Sequence, residues 1–298
     1  MKILIIGGSL FLGRVFTIVA SKENELTLIN RGQYSMSQFG VKEYVADRHD
    51  LDAIKNIPNE DYDAVVDFCA YNESDIKSFI DSFKGNIKKY IFISTCDVYK
   101  RGIEGKKDEN TPLEERVFGG ETGAYIAGKI KLEKEILNVC NKRKIDYGII
   151  RPSIIYGPYN YAQKESEYIR RMLKGETIPI PFDSKSKFQM VYVKDVANAI
   201  LEAIKKEGNT VYNVCPEEIA YVDFFETLIN VAKGYNANFL QMQTKVILQN
   251  EEFAPFPLTE EETELYDGTK IVKECDFTYT SLEDGMEKTF NAFKNVYT

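Results

Sequence analysis

The chain has 298 residues, 44% of them hydrophobic and 28% charged, with a formal net charge of −8; that is enough to bury a sizeable core in one large domain or two smaller ones. The negative balance disfavours nucleic acid and anionic membrane as partners, because phosphate binding wants a basic face. Five scattered cysteines without a C-x-x-C pair, and the lone His49, argue against a disulfide framework, a histidine-built metal site and a Ser-His-Asp triad. They favour a reducing, cytoplasmic setting.

The opening "MKILIIGGSLFLG" is too briefly apolar for a signal peptide and reads as a buried strand. No later stretch reaches the roughly 20 apolar residues of a membrane span. Further short apolar runs follow in chain order: "LTLIN", "YVAD", "AVVDFCA", "YIFIST", "YGIIRPSII", "MVYV" and "VYNVC". Continuous apolarity of this length fits strands buried on both faces. Amphipathic segments such as "ESDIKSFIDSFKG" and "AGKIKLEKEILNVCNKR" alternate with them, which predicts a doubly wound α/β fold with a parallel sheet.

Glycines 7, 8 and 13 lie between the first strand and a helix beginning near Phe11. A tight turn at Gly7, close backbone approach at Gly8 and close helix packing at Gly13 suit a dinucleotide pyrophosphate at a helix N-terminus. Ser9, Phe11 and Leu12 belong to the same expected contact. The second strand ends in Asn30 and Arg31 instead of the acidic residue that holds the ribose 2′-hydroxyl of NAD. A guanidinium there can pair with a 2′-phosphate, so NADP is favoured over NAD. The third strand ends in Asp47 and Arg48; Asp47 either accepts a hydrogen bond from the adenine or caps the next helix.

After residue 150 the alternation weakens. "IIYGPYNY" gathers Tyr, Pro and Gly, and "KGETIPIPFDSKSKF" reads as a loop-rich insertion. Strands near 190 and 211 are expected to return to the main sheet, and the acidic "LTEEETE" reads as solvated surface. The expected division is a nucleotide-binding domain over 1–155, joined again by about 189–215, with a smaller substrate-binding part over 156–188 and 216–298.

Two Tyr-x-x-x-Lys spacings occur, Tyr125/Lys129 and Tyr266/Lys270, about the number chance allows in a chain with 19 Tyr. Order along the chain separates them. "GGSLFLG", "NRG", "ADRHD", "AVVDFCAY", "ISTCDVY", "YIAGK", "IIRPSIIYGP", "FQMVYVKDVANAI", "VYNVC" and "SLEDGMEKTF" together resemble the extended short-chain dehydrogenase/reductase superfamily in its NAD-dependent epimerase/dehydratase branch. They lie closest to an atypical subgroup of bacterial reductase-like epimerases and plant chloroplast stem-loop-binding proteins. The resemblance implies a Rossmann-type fold with a smaller C-terminal substrate-binding subdomain. It places catalytic roles on Thr95, Tyr125 and Lys129, leaving Tyr266/Lys270 as the chance match. Strand ends then bring Cys69, Ala70 and Pro152 to the cofactor, and Tyr71, Cys96, Asp97 and Tyr156 to the substrate.

The chemistry is coherent. Free tyrosine, with a pKa near 10, is a poor base at neutral pH. A lysine at i+4 shares its helix face, and its charge, with that of an oxidised nicotinamide, favours tyrosinate. Tyr125 then exchanges a proton with the substrate oxygen while hydride moves at the same carbon. Three departures matter. Leu10 replaces the middle glycine of G-x-x-G-x-x-G. Cys96 and Asp97 stand where sugar-nucleotide dehydratases carry Asp-Glu, which disfavours elimination without closing it. Phe188 stands near the position of an arginine that holds a diphosphate in sugar-nucleotide epimerases, leaving Lys185 or Lys187 to compensate. The expected function is an NAD(P)-dependent epimerase, dehydratase or reductase acting on a small, sugar-like substrate. The alternative is a non-catalytic dinucleotide sensor or RNA-binding protein on the same fold. Oligomeric state stays open, dimers being common among relatives.

Overall fold

A computed structural model describes residues 1–297 apart from positions 233 and 236. Its strands are β1 (Lys2–Ile6), β2 (Glu25–Asn30), β3 (Lys42–Val45), β4 (Tyr62–Asp67), β5 (Ile87–Ile93), β6 (Asp146–Pro152), β7 (Ile154–Tyr156), β8 (Thr177–Pro181), β9 (Lys187–Phe188), β10 (Met190–Tyr192), β11 (Thr210–Val214), β12 (Ile219–Ala220) and β13 (Asn238–Met242). Seven form one sheet in the order β11-β6-β5-β4-β1-β2-β3, every neighbouring pair parallel.

The apolar runs are buried from both sides. In β1, Ile3 and Ile5 join one core and Leu4 and Ile6 the other, as the two-residue side-chain period requires. The first core packs beneath helices α1 (Phe11–Ala20) and α6 (Val193–Lys205). The second packs against α3 (Asp75–Ser82) and the long α4 (Gly120–Arg143), with the short α2 (Leu51–Lys55) nearby. Helix α4 stops where Lys144 turns left-handed at φ 56°.

The chain runs outward from β1 through β2 and β3, then crosses back to lay β4 on the other side of β1. This reversal opens a crevice at the carboxyl ends of β1 and β4, the place where such sheets hold ligands.

The strand near 211 returns to the main sheet as β11, but the one near 190 does not. β10 pairs with β7 in a separate two-stranded ribbon. β6 ends at Pro152, whose nitrogen cannot donate to a ladder, and β7 leaves the sheet beyond Ser153. The remaining helices are α5 (Glu165–Lys174), α7 (Tyr221–Val231), α8 (Thr244–Gln249), α9 (Thr269–Glu274) and α10 (Leu282–Tyr297). Among the described residues no helix is long and apolar enough to cross a membrane, and all five cysteines are free.

Candidate active site

A cleft of about 890 Å³ follows the carboxyl edge of the sheet from Arg31 and Asp47 to Thr95 and Tyr125. Its nucleotide end begins at the turn after β1. Gly7 has φ +93°, a left-handed value that side chains resist. A Cβ on Gly13 would lie 2.7 Å from the Gly8 Cα, so only glycine lets α1 begin this close to the strand. Gly7, Gly8, Ser9, Leu10, Phe11, Leu12 and Gly13 all face the cleft. Leu10 is half exposed beside it, so losing the middle glycine leaves the turn open. This cradle, at the N-terminus of a ten-residue helix, fits a dinucleotide pyrophosphate.

At the end of β2, Asn30 Oδ1 accepts from the Gly32 N–H at 2.6 Å, and its Nδ2 donates to Glu43 at 3.1 Å. Arg31 is exposed on the cleft. Asp47 also faces the cleft; its carboxylate is held below its usual range by the His49 N–H and ring, and by Arg31. Asp50, not Asp47, caps α2, accepting from the Ala53 N–H at 3.0 Å.

Arg48 borders the cleft, but its guanidinium is committed elsewhere. Nη1 donates to both Asp67 oxygens at 2.8 and 2.9 Å, and Nη2 donates to the Asp75 carbonyl at 2.8 Å. It fastens the end of β4 and is not a free ligand for the cofactor. Ala70 is a plain correction: only 1% exposed, it packs into the second core, off the cleft. Cys69 and Pro152 do line it, with burial pushing the Cys69 thiol up to about 12; that thiol behaves as a small hydrophobe.

At the other end, Thr95, Tyr125 and Lys129 come together. Thr95 follows β5, and the two α4 residues lie one turn apart on the cleft side. Thr95 Oγ1 donates to Asp97 at 3.2 Å. Lys129 Nζ donates to the Ile93 carbonyl at 2.8 Å and lies 5.8 Å from the Tyr125 ring centre. Burial brings Lys129 down to about 8. Tyr125 departs from the expected drift toward tyrosinate. Although 44% of the residue is exposed, desolvation and then the Asp97 charge push its phenol up to about 12, with Thr95 pulling the other way. The lysine charge is anchored on a backbone carbonyl, and in the free protein the Tyr125 hydroxyl keeps its proton.

One turn beyond Lys129, Glu133 accepts two hydrogen bonds from Arg151, at 2.9 and 2.6 Å, and one from Ser94 at 2.5 Å. This buried network ties α4 to β6 and to the residue before Thr95, fixing the helix register that presents Tyr125 and Lys129.

The substrate candidates divide. Tyr71 and Asp97 line the cleft. Cys96 reaches its border, but its thiol points inward: the residue is 1% exposed and Sγ donates to the Arg151 carbonyl at 3.0 Å. Burial raises the thiol well above its usual value, so it cannot replace a carboxylic acid. Tyr156 is also corrected. It is 1% exposed, packs on Tyr192 at 5.7 Å and lies off the cleft, with Gly285 of α10 against its hydroxyl. Farther along the same segment, Tyr159 lies against Arg14, 4.8 Å away, and Tyr161 stands on the cleft wall. Lys185 and Lys187 are exposed off the cleft, the latter 3.5 Å from Glu218; neither compensates for Phe188.

Tyr266 escaped the sequence reading. Its hydroxyl donates to Asp97 at 3.3 Å across the cleft, whereas Lys270 turns away to the Val211 carbonyl. Its spacing to Lys270 meant nothing, and nothing local marked the tyrosine itself.

Known proteins resemble the chain in sequence and in fold. The chain is 28% identical over 241 residues to the chloroplast stem-loop binding protein of 41 kDa b of Arabidopsis thaliana, covering 75% of this chain and 60% of that protein. It is 27% identical over 270 residues to the dTDP-D-glucose 4,6-dehydratase of Dictyostelium discoideum, covering 78% and 62%. The matches thus span less than two thirds of these relatives. Among solved structures, a UDP-glucose 4-epimerase of Thermotoga maritima with UDP-glucose superposes with a TM-score of 0.78 at 20% identity, covering 99% of both chains, and so shares the fold. The family description "NAD dependent epimerase/dehydratase family" matches residues 3–215. Since that span holds the glycine turn, Thr95 and the Tyr125/Lys129 helix, the chain belongs to the NAD-dependent epimerase/dehydratase family.

Proposed function

We propose that this protein is an NAD(P)-dependent enzyme of the epimerase/dehydratase type, acting on a hydroxyl or carbonyl carbon of a small, sugar-like molecule. The observation that carries the reading is the convergence of Thr95, Tyr125 and Lys129 on the same cleft as the glycine turn. A bound nicotinamide supplies the hydride donor or acceptor. Thr95 holds the substrate oxygen, and Tyr125 gives it a proton in reduction or removes one in oxidation. Lys129 supplies the positive charge beside that oxygen and orients the ribose. A non-catalytic sensor has no use for this set. With Cys96 turned inward, Asp97 has no acidic partner beside it, so epimerisation or reduction is favoured over elimination.

Exposed Arg31, with no carboxylate at the end of β2, supports NADP over NAD. Residues 1–155, with the returning strand β11, serve the dinucleotide; much of the remainder closes the substrate end. The test is titration with NADPH and NADH by nicotinamide fluorescence, free of indole transfer because the chain has no Trp. NADPH is expected to bind about tenfold tighter, the worth of roughly one charge-assisted contact. Equal binding removes the Arg31 preference; binding of neither removes the enzyme reading.

A further inference from the structure

We propose that Tyr71 is a positioning residue of this site: its ring is one wall of an aromatic cage that holds the Lys129 ammonium charged and in place. The inference rests on the hydride-transfer reading above, in which that charge orients the nicotinamide ribose and stands beside the substrate oxygen.

Lys129 is only 7% exposed, and a charge taken out of water needs a partner. The two carboxylates whose charge it feels, Asp67 and Glu133, are each paired with an arginine, Arg48 and Arg151. What surrounds the ammonium is one carbonyl and three rings. Nζ donates to the Ile93 carbonyl at 2.8 Å. It lies 4.9 Å from the ring centre of Phe92, 5.2 Å from that of Tyr71 and 5.8 Å from that of Tyr125. All three fall inside the ~6 Å over which the negative face of an aromatic ring attracts a cation. Phe92 belongs to the buried core and Tyr125 stands one turn back on α4. Tyr71 comes from the segment after β4, and its ring completes the cage.

The backbone fixes that ring. The Tyr71 N–H donates to Asp75 Oδ2 at 2.9 Å, and the buried Asp75 carboxylate also accepts from the Asn72 N–H at 2.9 Å. Burial brings Lys129 down to about 8, with Asp67, Glu133 and Cys69 opposing it. The Tyr71 and Tyr125 phenols and the Cys69 thiol are each pushed up to about 12, so they stay neutral while the lysine titrates. A ring face that favours the ammonium therefore sets the pH at which the charge is lost; removing it moves that pH down.

The experiment follows NADH binding by nicotinamide fluorescence between about pH 6.5 and about pH 9.5, NADH being chosen because it has no titrating 2′-phosphate. Wild-type affinity is expected to fall as pH rises through about 8, and Lys129→Met to show no such fall. Tyr71→Leu is expected to move the midpoint down by roughly half to one pH unit, the worth of one desolvated cation–π contact. Tyr71→Phe, which keeps the ring face, is expected to keep the wild-type midpoint. ADP, which ends short of the nicotinamide ribose, is expected to bind all four proteins alike. An unchanged or higher midpoint in Tyr71→Leu, a Tyr71→Phe profile that follows Tyr71→Leu, or a fall that survives in Lys129→Met overturns the inference alone. So does a loss of ADP affinity in Tyr71→Leu equal to the loss for NADH. Wild-type protein that binds no NADH at any pH removes the hydride-transfer reading, and the inference with it.

Discussion

Tyr125 shows what a residue-level pattern can and cannot carry. Its spacing to Lys129 was matched by Tyr266/Lys270, and only the order of surrounding motifs told them apart. The fold supplies what spacing lacks: a cleft shared with the glycine turn, and a lysine pinned to the Ile93 carbonyl. Side-chain direction was not legible. Ala70 and Tyr156 each adjoin a motif, yet both face the core, because neighbouring side chains along an extended segment point opposite ways. Tyr266 was missed for the converse reason, since a tertiary contact brings it to Asp97 from far along the chain. If Tyr125 moves the proton, Tyr125→Phe keeps the ring and removes the hydroxyl. Activity is expected to fall by roughly 10²–10⁴-fold in kcat/KM, with dinucleotide affinity unchanged. A residual activity within tenfold of wild type would assign the proton transfer elsewhere.

At the scale of elements, the strands of the main sheet were legible because burial on both faces leaves uninterrupted apolar runs. The segment after β6 was not, because its structure depends on one buried carboxylate. Glu165 is fully buried and accepts from the Gly157 N–H at 3.1 Å and from Asn160 Nδ2 at 2.9 and 3.0 Å. No periodicity announces such a knot. Burial holds its carboxyl up at about 7, against an ordinary 4.5, despite those hydrogen bonds. The folded chain therefore keeps a proton that the unfolded chain releases first. As pH rises from about 4.5 to about 7, stability falls, by on the order of 3 kcal/mol, and above that the loss is constant. Glu165→Gln preserves the shape and an acceptor while removing the titration. Urea unfolding at pH 5 and pH 7.5 is expected to show a smaller decline for the variant than for wild type. Parallel declines would mean that the carboxyl is ionised in the folded protein throughout this range.

For the whole molecule, the proposed division into nucleotide-binding and substrate-binding parts is not a division of the apolar core. One apolar core runs from Ile3 and Ile5 through Tyr156, Tyr168 and Phe224 to Met286 and Phe290, so the carboxyl-terminal helices share their interior with β1. Composition and periodicity show which segments are apolar but not which distant segments share a core, so the sequence offers a change of rhythm near 155 and no sign of the continuity across it. The cleft is likewise built from both sides, with Gly7 and Thr95 facing Tyr161 and Tyr266. A ligand that fills it should therefore stabilise the chain as one cooperative unit. At a hundredfold excess over Kd, a dinucleotide adds about 2.7 kcal/mol, a rise of roughly 5 °C in Tm for a protein of this size. The increment belongs to the contacts each cofactor makes, so Arg31→Ala, at an exposed position, should leave the ligand-free Tm where it was. It should also reduce the NADPH increment to that of NADH at the same concentration. A single transition that shifts as a whole in wild type, with the NADPH advantage lost in the variant, is the expected thermal profile. Two transitions, only one of them moved by ligand, would show that the shared core does not couple the two halves.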